Sequence, residues 1–188
     1  MSARITVGIF VGGAAKRMGG APKGLLSIPG ENRTIVERTI GLSRGAGAKV
    51  RLVGEHPAYA YLGEATIPDA APGTGPLGAL VALLEEAAGG VAIALACDMP
   101  RITHGLLVRL ISFDPAAAIV APRDGGRWSP LFARYDPERV LPIARARLAR
   151  GDLALHALLD EVGAHELPVD DHERAALEDW DTPEDMTR

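Results

Sequence analysis

The stretch that decides the fold is Ile5-Thr6-Val7-Gly8-Ile9-Phe10-Val11, an almost continuous run of apolar and β-favouring residues. Two glycines, Gly12 and Gly13, follow it directly. Such a run is typical of a parallel strand covered on both faces. Glycine suits a backbone that turns sharply or approaches a ligand closely. The stretch therefore predicts a central strand that ends in a binding loop.

Helix-like and strand-like segments alternate outward from this strand. Helical spacing of apolar residues is predicted over 34–44, from Pro76 up to Gly89, and over 103–111, whereas β-rich runs occupy 50–53, 91–97 and 118–121. In the second half we expect a strand over 128–135, helices around 139–149 and 153–162, and an extended segment over 165–169. Strands separated by helices predict an α/β fold of one domain, 1–188, with a three-layer, doubly wound, mostly parallel sheet.

Composition narrows the classes of function. The 188 residues carry a net charge of −4, which gives no overall positive field for nucleic acid. No apolar run reaches the roughly 20 residues that cross a bilayer, and the first residues lack the pattern of a signal peptide, so we expect a cytoplasmic protein that does not enter membranes. The single cysteine, Cys97, excludes an intramolecular disulfide, and the histidines are scattered without zinc-ligand spacing.

The loop from Gly12 to Lys23 combines four glycines with three cations directly after the first strand. Its backbone N–H groups can face phosphate oxygens, and Arg17 and Lys23 can neutralise triphosphate charge. The spacing matches neither a Walker loop nor the glycine pattern of dinucleotide-binding sheets. The alternative is a flexible surface loop with incidental basic residues.

A carboxylate stands at the end of the second continuous apolar run. Asp98 follows Val91-Ala-Ile-Ala-Leu-Ala-Cys97 and precedes Pro100, which restrains the turn. Ligands of open α/β sheets gather at this end of the strands, and Mg²⁺ in complex with a triphosphate takes one or two protein carboxylates. The alternative is an aspartate that caps the following helix or terminates the strand.

The spacing Gly-Gly-x-x-x-Arg-Met-Gly-x-x-x-Lys over 12–23 resembles the signature of nucleotidyltransferases with the nucleotide-diphospho-sugar transferase fold, a Rossmann-like α/β fold. Within them the chain most resembles the molybdenum cofactor guanylyltransferase (MobA-like) family. Four further stretches match in the same order: Asp69 before Gly75-Pro76-Leu77, Cys97-Asp98-Met99-Pro100, Ser129-Pro130-Leu131-Phe132, and Asp181-Thr182-Pro183-Glu184-Asp185. The resemblance thus covers nearly the whole chain.

This resemblance implies transfer of GMP from GTP to a molybdopterin-type acceptor, with Mg²⁺ as cofactor and pyrophosphate as the second product. It assigns catalysis to Arg17, Lys23 and Asp98, and the metal to Asp98 and Asp181. The nucleotide would contact Phe10, Val11, Gly12, Gly13, Arg17, Lys23, Asp69 and Asp98. Proteins that deliver the cofactor or receive it would be transient partners.

Two departures from the family pattern leave alternatives open. The family generally has asparagine where this chain has Asp179 and Asp181, and tends to have asparagine where it has Val53-Gly54-Glu55. Asp179 and Asp181 share one face of an extended segment, so either could hold the metal. Asp69 could instead bond its own backbone in a turn. Cytidylyl transfer to the same acceptor, nucleotidyl transfer to a sugar or alcohol phosphate, and a non-catalytic nucleotide-binding module remain the alternatives for function.

Overall fold

The computed structural model describes residues 4–12, 22–71 and 73–180. The strands are β1 (Ile5–Phe10), β2 (Lys49–Val53), β3 (Thr66–Ile67), β4 (Val91–Ala96), β5 (Ile119–Ala121), β6 (Arg123–Asp124), β7 (Arg127–Trp128), β8 (Phe132–Tyr135) and β9 (His165–Glu166). The α-helices are α1 (Ile35–Gly45), α2 (Gly75–Glu86), α3 (His104–Ser112), α4 (Pro137–Arg150), α5 (Leu155–Val162) and α6 (Asp171–Ala176). Two 3-10 helices cover Lys23–Leu25 and Pro57–Leu62.

Seven strands form one sheet in the order β3-β2-β1-β4-β8-β5-β9. Neighbouring strands are parallel except β8, which runs antiparallel to both β4 and β5. In the register, Phe10 at the end of β1 pairs with Val53 of β2 and Ala96 of β4. Three parallel strands therefore end at one level, and the residues that follow them face a common edge of the sheet.

Helices cover both faces of the sheet, which confirms the predicted doubly wound, mostly parallel architecture. Val7 and Ile9 of β1 lie in the buried cluster that includes apolar residues of α1 and α3. Buried residues of α2, α4 and α5 form a second cluster. Gly8 belongs to that second face, where an added Cβ would lie 2.7 Å from both Leu83 methyl carbons. The first strand is thus enclosed on both sides, as its apolar sequence predicts.

The helix starts follow the expected chemistry. The Thr34 side chain accepts a hydrogen bond from the Glu37 N–H, and the Glu37 carboxylate accepts one from the Thr34 N–H, which makes a capping box for α1. Thr103 caps α3 by accepting from the Leu106 N–H at 3.2 Å. Pro76 occupies the first turn of α2, where its missing N–H costs no helical hydrogen bond.

The strand predicted over 128–135 is wrong in extent. β7 ends at Trp128, and β8 begins only at Phe132, whose N–H donates to the Ser129 carbonyl at 3.1 Å in a turn. Pro130 lies inside this turn and has no N–H to give to a strand ladder. α4 begins before the predicted 139 and includes Pro142, while the extended segment at 165 pairs over only two residues. Within the described part of the chain no helix is both long and apolar enough to cross a bilayer.

Candidate active site

A cleft of about 1150 Å³ opens at the common edge where β1, β2 and β4 end. Its first side is formed by residues that follow or end β1 and β2, namely Phe10, Val11, Gly12, Val53 and His56, together with Asp69. Lys23, Asp98 and Asp179 line its middle. The opposite side consists of Arg127, Trp128, Ser129, Pro130, Leu131 and His156.

Lys23 and Asp98 meet in the middle of this cleft. The Lys23 Nζ donates to Asp98 Oδ2 at 3.1 Å, and their side chains are 20% and 16% exposed. Lys23 stands at the start of a 3-10 helix, whereas Asp98 follows the buried strand β4. A cation from the glycine-rich segment and the carboxylate at a strand tip are therefore brought within direct contact, as the functional interpretation of the sequence requires.

Burial and a second carboxylate act on Asp98. Burial raises its pKa most strongly, the Lys23 ammonium lowers it by charge and by its hydrogen bond, and the Asp179 carboxylate raises it; the net effect is a raised pKa. The chain brings Asp179 here because the next residue, Trp180, is buried and donates its N–H to the Asp98 carbonyl at 2.9 Å. Two carboxylates thus repel each other across a small volume.

The donor set at this point suits a hard dication. Carboxylate oxygens are the protein ligands that Mg²⁺ prefers, and phosphate oxygens and water complete its shell. A dication between Asp98 and Asp179 would remove their repulsion and offset the burial that raises the Asp98 pKa. Among the residues described here, no three or more His, Cys, Asp or Glu side chains converge as a metal-binding group.

The first side of the cleft depends on close approach of two backbones. Gly54 follows β2 with φ +89°, and an added Cβ would lie 3.1 Å from both the N and the Cα of Gly12. The Val11 N–H donates to the Val53 carbonyl at 3.0 Å, which extends the pairing of β1 and β2 to this point. A glycine after β2 therefore lets the start of the glycine-rich loop pack against it.

Comparison with known proteins reveals the family. Residues 7–166 match the family described as MobA-like NTP transferase domain. The chain belongs to this family.

One relative agrees with that membership, and two solved structures share the fold. A molybdenum cofactor guanylyltransferase of Pseudomonas putida (strain GB-1) is 33% identical over 181 residues, covering 94% of this chain and 92% of that protein. Molybdopterin-guanine dinucleotide biosynthesis protein A from Archaeoglobus fulgidus superposes with a TM-score of 0.76 at 20% identity, over 97% and 95% of the two chains. The cytidylyltransferase for 2-C-methyl-D-erythritol 4-phosphate from Thermus thermophilus does so with 0.66 at 17%, over 100% and 96%. The two structures show that this MobA-like domain shares their fold.

A buried tyrosine supports Lys23 in this MobA-like domain. Tyr59 is 3% exposed, and an added Cβ on Gly24 would lie 2.9 Å from the Tyr59 hydroxyl oxygen and 3.1 Å from the Cys97 Cβ. Burial and the neighbouring Cys97 thiol raise the pKa of the Tyr59 hydroxyl, whereas the Gly24 backbone lowers it. The 3-10 helix that carries Lys23 therefore rests directly on Tyr59 and Cys97, next to Asp98.

The Cys97 thiol is expected to be protonated and slow to react. Burial, followed by the Asp98 charge, raises its pKa to about 11. At pH 8 only about one such thiol in a thousand would be ionised, against roughly one in four for an ordinary cysteine. Alkylation by iodoacetamide should thus be at least roughly tenfold slower in the folded protein than in urea. Its rate should keep rising up to about pH 10, and a plateau near pH 8.5 would contradict this.

Six of the predicted site residues line the same cleft: Phe10, Val11, Gly12, Lys23, Asp69 and Asp98. Gly13, Arg17 and Asp181 lie outside the described residues, and their roles stay predictions. Of the two alternatives for the second carboxylate, Asp179 lines the cleft.

Three basic residues of the cleft were not found by sequence reasoning. His56 and His156 belong to the scattered histidines, yet both line the cleft, as does Arg127. His56 also caps the 3-10 helix Pro57–Leu62 by accepting from the Ala58 N–H through Nδ1 at 3.2 Å. The one available signal was the position of Arg127, two residues before the family stretch that begins at Ser129.

Proposed function

We propose that this MobA-like domain is a Mg²⁺-dependent nucleotidyltransferase that moves GMP from GTP to a molybdopterin-type acceptor and releases pyrophosphate. The name and 33% identity of the Pseudomonas putida relative support the donor and the acceptor, because that alignment spans almost both chains. The cytoplasmic location and the cofactor-handling partner proteins remain predictions from sequence.

One observation carries the proposal: Lys23 contacts Asp98 at 3.1 Å in a cleft at the carboxyl ends of the parallel strands. A triphosphate needs a cation for its phosphates and a carboxylate for its metal, and open α/β sheets bind ligands at this edge. Both requirements meet at one point here, between the first side of the cleft and the opposite side.

The nucleoside would occupy the first side, with Phe10 to Gly12 and Asp69 around it and the triphosphate directed toward Lys23. Arg17 would add a second cation to the phosphates. The Lys23 ammonium has three N–H groups, so it can donate to Asp98 Oδ2 and also to phosphate oxygens. The second carboxylate oxygen of Asp98 and the carboxylate of Asp179 would be oxygen ligands for the metal; Asp181 is the predicted alternative to Asp179.

The transfer is an in-line displacement at the α-phosphorus. An oxygen of the acceptor's terminal phosphate forms a new bond to that phosphorus, the bond to the α,β-bridging oxygen breaks, and pyrophosphate leaves with its electron pair. When bound, Mg²⁺ would neutralise developing charge on the phosphate oxygens. Lys23 contributes positive charge and orientation, which supply most of the catalysis in such transfers.

This chemistry needs no general base or protein nucleophile. A phosphate oxygen is already ionised near neutral pH and attacks without losing a proton. The Cys97 thiol, with its pKa raised to about 11, is unsuited to nucleophilic attack. The neighbouring Tyr59 hydroxyl, whose pKa is also raised, stays protonated.

Cytidylyl transfer is the second candidate function. A departure from the family pattern just after β2 leaves it open. The family tends to have asparagine where this chain has Val53-Gly54-Glu55, so a side-chain contact to the nucleotide is lost or replaced. The fold is shared with a cytidylyltransferase of Thermus thermophilus.

Pyrophosphate release distinguishes the candidates. The purified protein is incubated with molybdopterin-type acceptor, Mg²⁺ and each of the four ribonucleoside triphosphates in turn, with EDTA-treated reactions as the control. We expect release with GTP and its loss in EDTA. Release with CTP alone would establish the second candidate, whereas triphosphate binding without any release would indicate a non-catalytic nucleotide-binding module.

A further inference from the structure

The opposite side of the cleft is built on a small hairpin that is held firmly in place. β6 and β7 pair antiparallel, and the turn between them is Gly125-Gly126, with φ +52° and +82°. Two residues with positive φ allow the tightest hairpin turn, which glycine adopts without strain. The hairpin therefore needs no long loop and can present its side chains from a fixed backbone.

Two helices anchor this hairpin. From α5, Asp160 Oδ1 accepts a hydrogen bond from the Trp128 Nε1 at 2.7 Å. Within the hairpin, the Arg123 guanidinium of β6 stacks on the Trp128 ring, 4.2 Å from its centroid. From α6, Arg174 Nη1 donates to Asp124 Oδ1 at 3.0 Å. Trp128 is also buried. The hairpin is thus fixed through both of its strands.

Arg127 differs from the other arginines of this region. Arg123 and Arg174 have acidic partners, whereas the side chain of Arg127 has no hydrogen bond or ion pair within the described ranges. Its side chain is exposed and lines the cleft, as does that of His156 from α5. A guanidinium held on a braced backbone, facing a cleft and without a counter-charge among residues 4–12, 22–71 and 73–180, is arranged to bind an anion.

The order of strands separates this anion site from the nucleotide side. Adjacent strands lie about 4.8 Å apart, and β1 and β2 lie on one side of β4 while β8 lies on the other. The Ala96 N–H donates to the Leu131 carbonyl at 2.7 Å, so the turn before β8 is fixed against the strand tip that leads to Asp98. A cleft of about 1150 Å³ is larger than most single-ligand pockets. The nucleotide and a second ligand can therefore flank Asp98.

We propose that Arg127, assisted by His156, binds the phosphomonoester of the acceptor and directs it toward the α-phosphate of the nucleotide. This inference rests on the proposed nucleotidyl transfer, for which it names the second subsite. The planar guanidinium can hold two phosphate oxygens at once, which leaves the third oxygen to attack. The His156 imidazole would add a single hydrogen bond to the same group.

The kinetic test compares Arg127→Gln with a matched control, Arg145→Gln. Arg145 is an exposed arginine of α4 that pairs with Glu85 and is not among the cleft residues, so both variants lose one positive charge. We expect Arg127→Gln to raise the KM for the acceptor at least about tenfold, with the KM for the triphosphate changed less than about twofold. The KM of Arg127→Lys for the acceptor should fall between those of wild type and Arg127→Gln, because lysine keeps the charge but not the planar guanidinium that binds two oxygens. A rise in the KM for the triphosphate instead would overturn the proposal.

A binding measurement separates this inference from the proposed function. Calorimetry on the nucleotide-free protein compares hydroxymethylpterin phosphate with hydroxymethylpterin itself. We expect the phosphate ester to bind at least about tenfold more tightly, and Arg127→Gln but not Arg145→Gln to abolish that difference. If the protein shows this pattern yet releases no pyrophosphate with any acceptor, the proposed function fails and the subsite stands. Equal binding of the two pterins by the wild type would overturn the subsite.

Discussion

Replacing Asp98 with alanine is expected to lower turnover by at least about a hundredfold while leaving the fold intact. Asp98 is the carboxylate that the end of β4 presents to the cleft, and Lys23 contacts it directly. Its loss would remove a ligand of the proposed magnesium and leave Lys23 without the charge that positions it. The measurement is the initial rate of pyrophosphate release at saturating triphosphate and acceptor.

Removing the charge of Asp98 is expected to lower activity but not stability. The folded-state pKa of Asp98 is raised, so the carboxyl binds its proton more tightly in the folded than in the unfolded state. Its contribution to stability is therefore fully present below the unfolded pKa and is lost as the pH rises through the folded pKa. Above the folded-state pKa the ionised Asp98 opposes folding, and Asp98→Asn, which carries no charge, should keep or raise the Tm there.

Asp171→Asn is the matched control for these measurements. Asp171 is a fully exposed carboxylate in the first turn of α6 and does not line the cleft. It should retain near-normal turnover. Near-normal turnover of Asp98→Ala would remove Asp98 from the site, and a large fall in the Tm of Asp98→Asn would show that its role is structural.

The central strands could be predicted from sequence because both of their faces are buried. Burial on two sides leaves a continuous apolar run, as in β1 and β4, and the change from that run to glycine or aspartate marks the edge of the sheet. The predicted meeting of Lys23 and Asp98 followed from the same logic, since parallel strands end together. The burial pattern in the sequence therefore predicted both the central strands and the contact between Lys23 and Asp98.

The opposite side of the cleft could not be predicted in this way. Its strands β6 and β7 are each two residues long, which is too short to show an alternation of apolar and polar residues in the sequence. Arg127 and His156 come from different elements, and their proximity to the cleft depends on the contact of Trp128 with Asp160 across 32 residues of chain. Single residues placed by tertiary contacts leave no local signature, and in the sequence His156 is only one of several scattered histidines.

Replacing Gly54 with alanine is expected to damage both stability and triphosphate binding. Gly54 has φ +89°, where a side chain is strained, and its new Cβ would lie 3.1 Å from the Gly12 N and Cα. The positive φ alone costs an L-residue roughly 1–2 kcal/mol. The contact with Gly12 adds to this cost because the neighbouring atoms are backbone and cannot rotate away.

Gly63→Ala isolates the conformational part of that cost. Gly63 has φ +65°, and an added Cβ there would have no neighbour within 4 Å. We expect urea unfolding to show a loss of about 1 kcal/mol for Gly63→Ala and about 1–2 kcal/mol more for Gly54→Ala.

The KM for the triphosphate is compared in the same two variants. Because Gly12 begins the glycine-rich loop, displacing it should raise the KM for the triphosphate several-fold in Gly54→Ala and leave Gly63→Ala unchanged. Equal losses of stability in the two variants, together with an unchanged KM, would show that the close approach of Gly12 and Gly54 does not position the loop. An effect confined to Gly54→Ala would instead show that the glycine after β2 sets the backbone geometry that nucleotide binding needs.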